Sequence, residues 1–163
     1  MKKALIYFAL LLSLSNSAFC ANTTFQNLTV SEPPSSTITT SGSPNPLSIT
    51  LNANGIGSAE DTTTTYTISS NTKAKGSLKI TGALTRGENM TQNTTLTVNL
   101  GSSKGFSKGD QILSTDPVDL VINLPTLVSD SGSITYIFSV KDGWALPAQT
   151  LNRVVTLTLT SAS

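Results

Sequence analysis

The sequence has no histidine, a single cysteine at position 20 and a single tryptophan at position 144. Without histidine the commonest general base and the commonest metal-binding ring are both missing. A lone cysteine cannot close a disulfide within the chain or build a thiolate metal site. Neither a Ser–His–Asp nor a Cys–His apparatus can be assembled from these residues. Charge is scarce as well: ten basic and nine acidic residues make up 12% of the chain. No basic patch marks nucleic acid or an anionic membrane surface as a partner. Apart from the N-terminus, no apolar run approaches the roughly 20 residues that a membrane-spanning helix needs.

What the sequence does contain begins with MKKALIYFALLLSLSNSAFCANTT. Two lysines, a short apolar stretch from Ala4 to about Leu14 and then small and polar residues read as a secretory signal peptide over 1–20. Cleavage after Cys20 removes the only thiol, so a stable fold in an oxidising compartment must rest on packing. The remainder, 21–163, has the size of one domain. Its low charge and abundance of serine and threonine suit an extracellular β-protein.

No sustained 3.6-residue apolar pattern follows the leader, and the threonine-rich segments resist helix formation through stiff χ1 angles and competing backbone bonds. The chain reads as all-β. Candidate strands are 24–30 (TFQNLTV), 47–52 (LSITLN), 63–70, 77–81, 94–100, 111–114, 118–124, 133–140 and the terminal run RVVTLTLTSAS from Arg153. Turn-forming clusters punctuate them, among them SGSPNP, NANGIG and SDSG. This alternation predicts a two-sheet, immunoglobulin-like β-sandwich over 47–163. Ahead of it, 21–46 reads as an N-terminal extension: a detachable-looking strand, then a hinge stiffened by Pro33, Pro34, Pro44 and Pro46.

Several features invite chemistry. Asp110, Asp116 and Asp119 offer oxygens for calcium, but without EF-hand spacing, and the other carboxylates fall mostly in turns, where Asp is favoured for local capping. The glycines of GIG at 55–57 precede polar residues rather than a helix, which is no dinucleotide fingerprint. Tyr136, Phe138 and Trp144 could stack on a sugar, although core and corner packing explains them better. N-x-S/T sequons begin at Asn22, Asn27, Asn89 and Asn93 and matter only in a eukaryotic secretory host. The expectation is a protein without cofactor or metal that is not an enzyme.

The two ends of the chain complete the reading. QNLTVSEPP at 26–34, GDQILSTDPVDL at 109–120 and the closing RVVTLTLTSAS resemble stretches of the major pilin subunits of CFA/I-like chaperone–usher fimbriae. The family usually leads into its final strand with Gly and Tyr, whereas this chain reads LPAQTLNR there. The resemblance implies a sandwich lacking one strand, whose groove is filled by the N-terminal strand of another copy. Carried over by residue, it implies a polymerisation donor strand with Phe25, Gln26, Leu28 and Val30, of which Leu28 and Val30 are the expected anchors. Val155, Leu157 and Leu159 become the groove wall. It further implies a structural subunit of a fimbria or pilus, supporting cell adhesion, secreted through the periplasm to the cell surface. The implied partners are other copies of the chain in a head-to-tail polymer, a periplasmic chaperone and an outer-membrane usher, with no nucleic acid and no stable membrane insertion. Two rival readings stand beside it: a self-complemented β-sandwich that binds carbohydrate or protein, and a carboxylate- or calcium-dependent hydrolase.

Overall fold

Threonine, valine, isoleucine and leucine at alternate positions put their branched side chains on the two faces of a pleated ribbon, where they pack best. The computed structural model describes residues 34–72, 76–85, 93–141 and 153–162, all within the unit Pro33–Ser163. Among them the secondary structure is entirely β. In chain order the strands are β1 (Ser36–Ser41), β2 (Gly57–Asn71), β3 (Leu78–Leu84), β4 (Thr94–Leu100), β5 (Phe106–Ser107), β6 (Gln111–Ile112), β7 (Val118–Leu124), β8 (Leu127–Val140) and β9 (Val155–Ser161).

Two antiparallel sheets result. One has the order β1-β2-β8-β4-β6 and the other β5-β7-β3-β9. Each turns alternate residues inward, so β3 and β4 show a strict buried and half-buried alternation. The shared core holds Tyr66, Ile68, Ile80, Val98, Leu100, Leu120, Val121, Leu124 and Ile134.

The two longest strands run further than their sequence suggests. SDSG at 129–132 has the composition of a turn but lies in the middle of β8, and two features of the packing explain it. Asp130 is buried and accepts hydrogen bonds from Ser102 Oγ (2.8 Å), Ser103 Oγ (2.7 Å) and the backbone N–H groups of Ser103 and Lys104 (both 3.3 Å). Gly132 sits where a Cβ would collide with the Gly101 carbonyl oxygen and fall 2.8 Å from the Tyr66 ring, while the Tyr66 hydroxyl donates to that same carbonyl at 2.7 Å. Only glycine lets the two backbones and the Tyr66 ring approach so closely.

Sequence 47–52, expected to be a strand, is not one. Pro44 and Pro46 supply no N–H, so the chain after β1 leaves the ladder, and only a tight turn rejoins it to β2. In its place Asn45 Nδ2 donates to Asp61 Oδ1 at 3.0 Å. The turn is closed by Asn52 N donating to Ile56 O and Gly55 N donating to Asn52 O, both at 2.9 Å, with Gly55 at φ 72°. A bulge between Asp61 and Thr64 then carries β2 on toward Asn71. Conversely, the stretch read as a hinge carries β1. STITTS, between Pro34 and Pro44, is free of proline and pairs with β2 from Ser36↔Ser70 to Ser41↔Thr65.

Candidate functional site

A sandwich has two long edges, and each must be paired, covered or blunted. At one edge lie β5 and β6, joined by a short turn. Ser107 pairs with Val121 on β7, and Lys108 N donates to Leu120 O at 2.8 Å. Gln111 and Ile112 then pair with Val98 and Thr97 of β4, and Leu113 N donates to Leu96 O at 2.8 Å. Finally Leu84 N on β3 donates to Ser114 O at 2.7 Å. One segment is thus stitched to both sheets, and Leu113, 2% exposed, is driven into the space above Gly82.

The opposite edge is built from β1 and β9, neighbours from different sheets. Among the described residues β1 pairs only with β2, and β9 only with β3. Strict alternation places Val155, Leu157 and Leu159 toward the core, opposite Leu84, Gly82 and Ile80, while Thr156, Thr158 and Thr160 are exposed. Ile38 of β1, opposite Ile68, faces the same space. These four apolar side chains pack against the core yet stay half-buried, whereas their partners Ile68, Ile80 and Leu84 are buried. Covering what remains of each would contribute on the order of 0.5–1 kcal/mol at about 25 cal/mol per Å².

The ends of this edge are well anchored. At its base Ser35 N donates to Asn71 Oδ1 (2.6 Å), Asn71 N donates to Ser35 O (3.0 Å), and the Ser36 and Ser70 hydroxyls share a 2.8 Å bond. Ala162 N donates to Ser77 O at 2.8 Å, and at the other end Thr85 N donates to Val154 O at 3.0 Å. The edge is therefore a fixed feature of the fold, held at both ends.

Neither β1 nor β9 carries a titratable side chain. The perturbed groups lie elsewhere. Burial pushes the carboxyls of Asp130 and Asp61 up, but the hydrogen bonds they accept outweigh it: Ser103 and Ser102 hold Asp130, and Thr63 and Asn45 hold Asp61, below the ordinary carboxylate value. Burial raises the Tyr66 and Tyr136 hydroxyls, with smaller contributions from the charges of Asp130 and Asp61 respectively.

The structure brings Val155, Leu157 and Leu159 together on one face, as the alternation predicts. It adds Ile38, which was missed because the prolines around it read as a hinge; the alternation of STITTS was the available signal. Phe25, Gln26, Leu28 and Val30 lie outside the described residues, as does Trp144. The three acidic residues weighed for calcium are engaged separately. Asp119 pairs with Lys79 Nζ at 2.9 Å and Asp110 accepts from Asn99 Nδ2 at 2.9 Å, while Asp116 is tied to Ser114 through its backbone, its N–H donating to Ser114 Oγ at 3.2 Å. No cluster of three or more His, Cys, Asp or Glu able to hold a metal occurs among the described residues. Tyr136 is buried and Phe138 half-buried against the core, which leaves their ring faces to packing rather than to a sugar. Compared with known proteins, the chain matches no family model and no curated sequence.

Proposed function

We propose that the chain is a structural subunit of a surface fibre, assembled when the N-terminal strand of one copy, residues 24–30, lies along β9 of another and completes an immunoglobulin-like sandwich. The observation that carries this reading is the contrast between the edges: one is sealed by a dedicated segment, while at the other Val155, Leu157, Leu159 and Ile38 stay half-covered on strands that each have one ladder partner among the described residues. An added strand would extend the ladder and cover those side chains at once. Leu28 and Val30 are the proposed anchors of the incoming strand. A leader at 1–20 would deliver the subunit across the inner membrane. In the pilins that the sequence resembles, a chaperone holds the groove until an usher releases the subunit to the growing polymer, and the same partners are proposed here.

Deletion of residues 22–31 tests the reading. The expected product is a folded subunit that no longer adds to fibres, as seen by sedimentation and electron microscopy. Fibres of normal length from the deleted chain would overturn it.

A further inference from the structure

The exposed large hydrophobics are not scattered evenly. Phe106 and Ile112 lie along the sealed edge. The other four sit at the two ends of the sandwich's long axis. Leu51 (41% exposed) and Ile56 (49%) flank the 52–55 turn just before Gly57, at the start of β2. Val154 (56%) lies at the same end. It adjoins Val155, which pairs with Leu84; Leu84 bonds Ser114, and Leu113 beside it bonds Leu96, which is level with Phe138 and Ala59. Leu127 (77%) stands at the other end, opposite Asn71. The 15 residues of β2 separate the ends by roughly 50 Å at about 3.3 Å per residue.

We propose that these two ends are the two halves of one contact between successive copies of this chain, with Leu127 of one copy seated against Leu51 and Ile56 of the next, beside Val154. The inference rests on the polymerisation reading and adds to it the geometry of the chain. The described unit is entered at Pro34, at the base, where Ser35 is fixed to Asn71 and Leu127 pairs with Asn71. Only residues 31–33 separate Pro34 from Val30, so the base of a donating copy lies within about 14 Å of the last anchor of its donor strand.

The direction of the donor decides which end it meets. Every pair in both sheets is antiparallel, and β9 runs from the turn end, where Val155 meets Leu84, to the base, where Ser161 meets Leu78. A donor that continues the antiparallel pattern runs from base to turn end and leaves Val30 beside the 52–55 turn. The base of the donating copy then abuts the turn end of the accepting copy. Two different patches that meet by translation form a heterologous contact, which extends into an open filament rather than closing into a dimer. An apolar group exposed at each end, singly unremarkable, is complementary in that arrangement.

Cysteine pairing reads the contact directly, because Cys20 lies in the leader and can be replaced by serine without touching the described unit. Full-length chain carrying Ile56→Cys and Leu127→Cys is assembled into fibres, oxidised gently and run on non-reducing denaturing gels. The expected result is a regular ladder of covalent dimers, trimers and higher species that collapses on reduction, with neither single variant giving more than background. Leu51→Cys paired with Leu127→Cys serves as a second reporter should the first pair perturb folding, and is expected to give the same ladder. Fibres that form but give no ladder from either pair overturn the end-to-end contact while leaving donor exchange intact. A Leu127→Cys single variant that gives covalent dimers overturns it too, since base would then meet base. If the unaltered chain forms no fibres, the polymerisation reading fails and the contact with it.

Discussion

The two long edges of this sandwich reach opposite outcomes. At the sealed edge, 106–114 bonds to β7, then β4, then β3, and buries Leu113 in the middle. At the other edge β1 and β9 each have one ladder partner among the described residues, and four apolar side chains remain half-covered. Both strands here are free of charge, proline and bulges, the devices by which β-proteins ordinarily blunt an edge. Among the described residues one edge is sealed by a dedicated segment and the other keeps the features that accept a strand, and receiving one there is the role proposed for it.

Breaking the sealed edge is expected to have the largest effect on the subunit itself. Leu113→Ala removes a buried side chain from a packed core and should cost about 3 kcal/mol in denaturant unfolding. Gly105→Ala belongs to the same class, since its Cβ would fall 2.6 Å from Val121 Cγ1 and 2.9 Å from Ile122 O. It should cost about 2 kcal/mol by overpacking. Leu157→Ala, on the open edge, should cost the isolated subunit only about 1 kcal/mol, because that side chain is partly uncovered. In the assembled fibre the same substitution should cost more, and a Leu157 penalty equal in both states would contradict the difference between the edges.

Acid should loosen the sealed edge through Asp130. Asp130 fastens residues 102–104, which lead into the sealing segment, and its carboxyl is held below the ordinary value. A depressed carboxyl contributes stability that is fully present above the unfolded value, near pH 4, and is lost as pH falls through the folded one. Protection factors at 102–107, taken relative to the intrinsic exchange rate at each pH, should therefore fall below about pH 4, and Asp130→Asn should remove that acid dependence. Exchange along β9, which carries no titratable group, should lack this step. The smallest effect is expected from Thr158→Val on the exposed face of β9, within about 0.5 kcal/mol in either state.

Local patterning makes much of this fold legible in the sequence. TTLTVNL alternates cleanly, VDLVINL is a mostly apolar run, and each is a strand over the expected residues. Failures came where tertiary contacts override local chemistry. SDSG looks like a turn because its aspartate and glycine are turn-formers, yet Asp130 is needed by Ser102 and Ser103 and Gly132 by the Gly101 carbonyl, partners about 30 positions away. LSITLN looks like a strand, but the prolines before it withhold the donors that a ladder requires. The half of the candidate site on β9 was visible as Val155, Leu157 and Leu159. That these residues sit on an open edge beside Ile38 was not, because strand order is a property of the whole sheet.

The central claim is that β9 awaits a strand from another copy. In an antiparallel pair only alternate amides of β9 donate to β3, which leaves the intervening ones to any new neighbour. Hydrogen exchange of the amides from Val155 to Ser161, compared between the full-length polymer and the chain lacking residues 22–31, tests this directly. The account predicts strong protection of the intervening amides in the polymer alone, with the sealed edge at 106–114 unchanged. Equal protection of β9 in both forms would contradict it.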